Sequence, residues 1–364
     1  RNVGVRYKGD SSSQPHQTHK RSYLIKVSHY EKDQRFLGME RIALDNGVQF
    51  GSLFSEPLVT EILRDLNIPA SHCNHAQLFL NGEYQGVYVN VERIDESFLQ
   101  RCFGSASGAL YKVHRPGPGA NLAYAGPRLE DYKNCFSAKT AEAEAAYADL
   151  VSLTQALGGG KKVPYEQVLG SQMVADDFLR TMAVMLMAGC FDQLTGWNPH
   201  NYYLYRHPVT QQWSYLPWDL DVGFADKAFG KVPVIDGWHA AWPLPGGPPK
   251  PILENIVKDP KLLASYRKFA RSILESHFRP EMLKARLSKL YALIEEPLRT
   301  DPFPPRRVTN PEDTGYESIL DSIERFIEKR YALATAQLSA TTSPGWQTTG
   351  EAQSRPVIDH PAPS

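Results

Sequence analysis

Four small acidic or amide side chains, each at the edge of an apolar or aromatic run, could hold a cation. They are Asp192, Asn201, Asp219 and Asp221. In a strand, residues i and i+2 point to the same side, so "PWDLDVGF" is expected to project Asp219 and Asp221 together. Parallel carboxylates repel unless a cation lies between them, and Mg²⁺ prefers carboxylate, amide and phosphate oxygens. The pattern predicts a divalent-cation site; the alternative is a pair of acids that cap a turn or form ion pairs.

The order of these residues along the chain matches the order of the catalytic parts of protein kinases. Those enzymes place a catalytic aspartate first, then an asparagine ligand, then a metal-binding aspartate. Asp192 follows "VADDFLRTMAVMLMAGCF", which predicts a core helix, and an aspartate there could orient a hydroxyl nucleophile. The gap from Asp192 to Asn201 is longer than in ordinary kinases, and "DLD" stands where they have "DFG". The order of the catalytic residue types therefore matches that of protein kinases, whereas the sequence motifs of ordinary kinases are absent.

The elements that must position these residues change character along the chain. "VGVRYKG" and "SYLIKV" alternate apolar and polar residues, which predicts half-buried strands. "SEPLVTEILRDLNIP" has apolar residues at helical spacing, and "AQLFLNGEYQGVYVNV" predicts a hairpin with an Asn-Gly turn. Beyond the hairpin the pattern is mainly helical, apart from two strands, "NYYLYRH" and "WSYLPWDLDVGF".

Composition narrows the range of partners. Lys plus Arg equals Asp plus Glu, 40 each, so nothing favours nucleic acid or an anionic membrane as the main partner. No apolar run reaches the ~18 residues of a transmembrane helix. The four cysteines lack CxxC spacing, which argues against zinc and leaves buried thiols and disulfides both open. The chain begins with Arg1, which suggests that an upstream segment was removed and leaves the compartment open.

The chain resembles the CotH family, the spore-coat-type atypical kinases, from residue 2 to residue 338. The resemblance is carried by "NVGVRYKGDSS", "HKRSYLIKV", "LFLNGEYQGVYVNVERIDESFL", "GALYKV", "DQLTGWNPHNYYLY" and "YLPWDLDVGF". It implies an α+β, two-lobed atypical protein-kinase-like fold. The N-terminal lobe would be mostly antiparallel β with one or two helices, and the C-terminal lobe mostly α-helical. The expected division is 1–95 for the nucleotide-binding lobe, 96–338 for the catalytic lobe and 339–364 for a disordered Pro/Ser/Thr-rich tail.

The resemblance also implies the chemistry. A CotH-like kinase would bind ATP with Mg²⁺ or Mn²⁺ and phosphorylate Ser or Thr hydroxyls of proteins, itself included. Asp192 matches the catalytic aspartate, and Asn201, Asp219 and Asp221 match metal-binding positions. Which of Asp219 and Asp221 is the main ligand stays open, and Asn198 is a second amide candidate.

A kinase-like N-terminal lobe needs a loop over the phosphates and a lysine that contacts them. The loop "GDSSS", with Ser11 and Ser12, could hold phosphate through backbone N–H groups and hydroxyls, or be a plain turn. Lys26 lies on the strand face opposite Tyr23 and could point into the cleft. Lys20 and Arg6 are rivals for the same role.

Two acids of this lobe are candidates to support the nucleotide or the lysine. Glu92 follows the hairpin where a kinase hinge would lie, and could contact adenine or ribose or support the lysine. Glu61 on the early helix is another possible partner for the lysine.

Two alternatives to a protein kinase follow from the same residues. The chain could be a non-catalytic spore-coat or cell-surface assembly or adhesion protein, because a fold persists without activity. It could also be a kinase-fold enzyme with other transfer chemistry, such as adenylyl or glutamyl transfer. The habit of the family suggests an extracytoplasmic or spore-surface location.

Overall fold

The chain folds into two lobes of mixed α+β structure, as predicted. The computed structural model describes residues 2–9, 20–47, 52–159, 163–196, 198–228, 232–233, 249–305, 307 and 309–340. The predicted loop with Ser11 and Ser12, and the predicted tail from residue 341 onward, lie outside these residues. Among the described helices, none combines the length and apolar character needed to cross a bilayer.

The N-terminal lobe is built on a five-stranded sheet with the order β1-β2-β3-β5-β4 and antiparallel neighbours. Its strands are β1 Gly4–Lys8, β2 Ser22–Lys26, β3 Arg41–Asp45, β4 Cys73–Leu80 and β5 Glu83–Val91. The predicted hairpin is β4–β5, and its turn places Asn81 and Gly82 at φ 53° and 84°. This left-handed pair is why Asn-Gly suits a two-residue hairpin turn.

One face of this sheet carries the basic side chains of the first two strands. The register pairs Gly4 with Lys26 and Lys8 with Ser22, so Arg6, Lys8 and Lys26 share a face. The opposite face carries the tyrosines at positions 7, 23 and 88, whose rings follow one another at 5.5 and 6.1 Å. Strand alternation therefore sorts aromatic from basic residues, and the basic face turns toward the second lobe.

A single helix, α1 Ser55–Asp65, completes the described N-terminal lobe. It buries Leu58, Ile62 and Leu63 in the core, as its helical spacing predicts. The same helix buries an acid in its first turn, since Glu56 is only 3% exposed. A carboxyl group in such a position needs a polar partner.

The C-terminal lobe combines helices with a four-stranded antiparallel sheet of order β7-β6-β8-β9. Its strands are β6 Ala109–Val113, β7 Phe136–Ala138, β8 Tyr202–Arg206 and β9 Trp213–Pro217, followed by the short pair β10 Lys227–Ala228 and β11 Val232–Pro233. Its helices are α2 Glu96–Phe103, α3 Glu130–Lys133, α4 Ala141–Ala145, α5 Tyr147–Leu157, α6 Tyr165–Gln172, α7 Ala175–Ala188, α8 Pro251–Lys258, α9 Pro260–Ser276, α10 Pro280–Arg299 and α11 Tyr316–Ser339. The sequence pattern predicted β8 and β9 but not β6 and β7.

Helix α7 is the central helix of this lobe and ends beside the predicted catalytic loop. Arg330 of α11 is fully buried and donates to the carbonyls of Leu186 (2.7 Å) and Met187 (3.3 Å). A cation that satisfies the last carbonyls of a helix also complements its dipole. Gly189 follows at φ 72°, a left-handed turn that ends the helix. Arg330 and the left-handed turn at Gly189 together set the direction in which the next loop leaves the helix.

The connection after α10 ties the two lobes together. Asp301 accepts hydrogen bonds from Lys20 Nζ (2.8 Å) and from the backbone N–H of Val87 (2.9 Å). The side chains of Lys20 and Asp301 are almost fully buried, at 0% and 1% exposure. Tyr84 adds a hydrogen bond to the carbonyl of Pro297 at 3.0 Å. These contacts join segments far apart in the sequence.

Candidate active site

Asp192 lies at the bottom of the loop that follows α7. Its side chain is 7% exposed, and Asn201 Nδ2 donates to its Oδ2 at 2.6 Å. Its other oxygen, Oδ1, is buried and has no hydrogen-bond partner among the described residues. Burial raises the pKa of Asp192 to about 6, although nearby His200 lowers it. One carboxylate oxygen is thus oriented by an amide, whereas the other is buried without a hydrogen-bond partner among the described residues.

The loop is held in place by Gln193, a residue that sequence reasoning missed. Gln193 Nε2 donates to the carbonyls of Asn201 (2.8 Å) and Trp218 (2.9 Å), and its Oε1 accepts from Tyr215 (2.9 Å). The backbone N–H of Trp218 also donates to the Asn201 carbonyl at 2.9 Å. One buried amide therefore fixes the spacing between the Asp192 loop, Asn201 and the segment that carries Asp219.

Asp219 and Asp221 do not lie in a strand, which corrects the strand argument for their common direction. Strand β9 ends at Pro217, and Asp219 has a left-handed backbone with φ 61°. The reason is that Pro217 pairs with Tyr202, the first residue of β8, so the ladder has no further partner. The two acids follow in the turn beyond the sheet.

Electrostatics nevertheless couples the two acids. Burial raises the pKa of Asp221 well above its usual range, with Asp219 as the next cause. For Asp219, which is 34% exposed, burial is outweighed by Lys8 and Lys112, so that its pKa is lowered. Asp219 is therefore the more readily ionised member of the pair.

Lys8 is the lysine that the structure brings to these acids. Its Nζ lies 2.5 Å from Asp45 Oδ2 and 3.6 Å from Asp219 Oδ1, so it links the N-terminal sheet to the second lobe. Burial opposes its charge, but Asp45, Asp219 and Glu56 together raise the pKa of Lys8. The sequence could have indicated Lys8, because it lies two residues after the candidate Arg6 and therefore on the same face of the strand.

Glu56 is the acid of α1 that reaches the site. Its Oε1 accepts from the backbone N–H of Leu220 at 3.4 Å, between the two acids of the turn. Burial, then Asp219 and Asp45, raise the pKa of Glu56 to about 8. Glu61, the acid of this helix that sequence reasoning considered, lies 3.8 Å from Arg286 on a more exposed side. Helical periodicity places Glu56 and Glu61 at different angles around the helix, but it does not show which of them reaches the site.

A cavity of about 790 Å³ opens between the lobes. Among the described residues that line it are neither Lys8 nor the acids of the site. Arg6 and Lys26 line it from β1 and β2, the segment from Arg93 to Ser97 lines its back, and Tyr203 lines it from β8. Its size is within the range of small-molecule sites. The predicted candidates Arg6 and Lys26 are thus in this cavity.

The other sequence candidates lie elsewhere. Lys20 is 0% exposed, donates to the carbonyl of Val87 at 2.6 Å and pairs with Asp301, so its ammonium group is used inside the protein. The carboxylate of Glu92 accepts from Arg101 (2.5 Å) and from the N–H of His72 (2.9 Å), outside the cavity lining. The structure does not bring either of them to the carboxylates described above.

The remaining candidates are Asn198, which lies near the Asp192 loop, and the four cysteines. The carbonyl of Asn198 accepts from His200 Nδ1 at 2.7 Å. The four cysteines are free, so the alternative of disulfides is not realised. Burial raises the pKa of Cys190, which lies closest in sequence to Asp192.

The donor set suits a hard divalent cation that a phosphate chain shares. Within the described residues, no three His, Cys, Asp or Glu side chains converge into a complete metal-binding group. Mg²⁺ does not require one, because it binds through one or two carboxylates plus phosphate oxygens and waters. Burial is the first cause that raises the pKa of Asp221, and the charges of Asp219, Asp45, Glu56 and Asp192 raise it further. A divalent cation would favour the ionised form of this carboxyl group.

Two lobes with an aspartate loop, an amide, paired carboxylates and a lysine from the opposite lobe define a protein of the kinase-like class. The family model described as CotH kinase protein matches residues 5–333, and the chain belongs to this family. The inner spore coat protein H of Bacillus subtilis (strain 168) is 22% identical over 293 residues, which cover 78% of this chain and 75% of that protein. A crystal structure of the Helicobacter pylori proinflammatory kinase CtkA aligns over 92% of this chain and 98% of that chain, at 9% identity and a TM-score of 0.34. That likeness is too weak to place individual residues of this chain.

Proposed function

We propose that the chain is an ATP-dependent atypical protein kinase that transfers the γ-phosphate to Ser or Thr hydroxyls of proteins, itself included. The observation that carries the proposal is Asp192, whose Oδ2 is held by Asn201 while its buried Oδ1 has no partner among the described residues. Membership of the CotH kinase family supports the same activity. The lobes would divide as 1–95 and 96–338.

Each part of the site has a role in this proposal. Asn201 and Asp219 would hold Mg²⁺ or Mn²⁺, with Asp221 as a second carboxylate. We take Asp219 as the main ligand because its lowered pKa keeps it ionised. The metal, when bound, neutralises charge on the phosphates. The nucleotide would occupy the cavity between Arg6 and Tyr203.

The remaining residues position and activate the hydroxyl. Asp192 Oδ1 accepts the proton of the attacking Ser or Thr hydroxyl, and Asn201 keeps the carboxylate in the orientation that this requires. Lys8 steadies the phosphates and, through Asp45 and Asp219, holds the lobes at a fixed separation. Gln193 keeps the loops in register. Most of the rate would come from positioning and charge neutralisation.

The test is transfer of label from ATP. The purified chain is incubated with γ-labelled ATP and Mg²⁺ or Mn²⁺, with and without a peptide library, in parallel with ATP labelled in the adenine. Label from the γ-phosphate on Ser or Thr supports the proposal. Label from the adenine indicates adenylyl transfer instead, and ATP binding without transfer of either label indicates a non-catalytic protein.

The similarity to the inner spore coat protein H supports a location on a spore or cell surface. It also keeps one alternative open, namely an assembly protein that uses the fold without catalysis. Under that alternative, replacing Asp192 by Asn leaves the protein's place in its assembly unchanged. Under the kinase proposal, the substitution removes phosphate from the chain's substrates.

A further inference from the structure

Lys112 is a cation that acts on the charge of Asp219 and has no role in the proposed transfer. It lies on β6, within the segment "GALYKV", and pairs with Tyr203 of β8. Its Nζ lies 5.8 Å from the ring centroid of Tyr203 and 5.8 Å from that of Trp218. Two aromatic faces thus hold the ammonium group without neutralising its charge.

Trp218 is shared by two lysines from opposite lobes. Lys8 Nζ lies 5.9 Å from the same ring centroid, and Lys112 Nζ lies 5.8 Å from it. Lys8 has carboxylate partners at 2.5 and 3.6 Å. Lys112, in contrast, has no carboxylate within ion-pair distance in the part of the chain that the structure describes. The pair is therefore asymmetric, because one cation is neutralised and the other is not.

Both acidic and basic side chains act on the charge of Lys112. Burial is the main cause that lowers the pKa of Lys112, to about 8; Asp219 opposes this, and Lys8, Arg93 and Lys139 add to it. Arg93 and Lys139 both line the cavity. A half-buried cation among other cations is costly unless an anion joins it. Tyr203, whose ring lies next to the Lys112 ammonium group, also lines the cavity.

We propose that Lys112 binds a phosphate oxygen of the nucleotide from the C-terminal lobe, opposite Lys8. The phosphate chain would lie between the two ammonium groups, over the edge of Trp218. The inference rests on the nucleotide site of the proposed function, but it does not require that transfer occurs. Loss of a charged donor to phosphate is the predicted consequence of removing Lys112.

The test compares ligands with and without phosphate. Lys112→Met keeps the length of the side chain, Lys112→Arg keeps the charge, and Lys133→Met removes an exposed lysine as a control. Calorimetric titration of the full chain with Mg²⁺ and ATP, ADP or adenosine is the measurement. Lys112→Met is expected to weaken ATP and ADP about tenfold or more and to leave adenosine unchanged. Lys112→Arg should recover part of the loss, and Lys133→Met should lose nothing.

Two results would overturn the proposal. One is wild-type ATP affinity in a folded Lys112→Met protein; the other is an equal loss for adenosine and ATP, which indicates a packing role. A wild-type chain that binds ATP but transfers no phosphate refutes the kinase proposal alone, because the titration still decides the role of Lys112.

A second measurement avoids the variant altogether, in case Lys112→Met does not fold. Trace acetylation of the wild-type chain, followed by mass spectrometry, reports the accessibility of each lysine amine. ATP should protect Lys112 from acetylation, adenosine should not, and Lys133 should react equally in all samples. Equal acetylation of Lys112 with ATP and with adenosine would contradict the proposal.

Discussion

Asn201 Nδ2 lies 2.6 Å from Asp192 Oδ2, while Asp192 Oδ1 is buried and accepts no hydrogen bond from any described residue. Asp192→Asn preserves the shape of the side chain and removes its ability to take a proton. We expect transfer to fall by about 10²–10⁴-fold while ATP affinity stays near wild type. Asp176→Asn, at an exposed position of α7, is the matched control and should keep full activity. Full phosphorylation by the Asp192 variant would remove this residue from the mechanism.

Asp219 is predicted to be the main metal ligand because Lys8 helps to keep it ionised. Asp219→Asn should raise the metal concentration for half-maximal transfer by about tenfold or more, and Asp221→Asn should raise it less. Chelation of the metal should stop transfer in the wild type. The measurement is the rate of transfer against Mg²⁺ or Mn²⁺ concentration for the three proteins. The reverse order of the two variants would assign the main role to Asp221.

Gln193 links two carbonyls that belong to different loops of the site. Gln193→Leu leaves the Trp218 carbonyl and the Tyr215 hydroxyl without this partner in a buried place. The free energy of unfolding should fall by about 2 kcal/mol, and transfer should fall with it. Denaturant unfolding measures the first effect. Gln155→Leu, on the exposed side of α5, is the control, and equal stability of both variants would show that the link is dispensable.

Lys8 neutralises Asp45 and Asp219 together. Lys8→Met leaves both carboxylates without their cation and should lower the free energy of unfolding by about 3 kcal/mol. The double variant Lys8→Met with Asp45→Asn should recover part of that stability, because one of the stranded charges is gone. It should not recover ATP affinity. A double variant no more stable than Lys8→Met would show that the Lys8–Asp45 pair contributes little.

Gly86 has a backbone that no other residue suits, with φ 93°, and a Cβ there would overlap the carboxylate of Asp301. Gly86→Ala should therefore lower the free energy of unfolding by about 3 kcal/mol, from backbone strain and overlap combined. Gly82→Ala is the matched control, because φ is 84° and nothing lies within 4 Å of its Cβ position. It should cost only the strain, about 1 kcal/mol. Equal losses of stability in thermal or denaturant unfolding would show that the Asp301 side chain moves aside at little cost.

Periodicity along the chain predicted the elements better than it predicted which residues meet. The core helix α7, the Asn-Gly hairpin and the first two strands follow from local spacing and turn chemistry. The loop after α7 was expected from the end of the apolar run. Asp192 and Asn201 come into contact because the backbone N–H of His200 donates to the Asp192 carbonyl, which brings the start of β8 back to the loop.

The sequence did not identify the site residues whose contacts depend on how strands and helices of the two lobes pack together. Alternation showed that Arg6 and Lys8 share a face, but only the packing of the lobes shows that Lys8 reaches Asp219. Glu56 and Glu61 occupy one helix, and only the direction of burial separates them. Lys112 lies on β6, a strand of mostly buried residues without clear alternation, in a region whose sequence pattern is mainly helical.

The ion pair between Lys20 and Asp301 has a consequence for how this protein can be divided. A fragment cut after residue 95 would keep a buried ammonium group and lose its counter-ion, while the complementary fragment would keep the carboxylate. Each fragment would then hold a buried charge without its ion-pair partner. Each would also expose the surface that the other lobe covers. The two lobes are therefore expected to fold only as one polypeptide, so that studies of nucleotide binding need the whole chain.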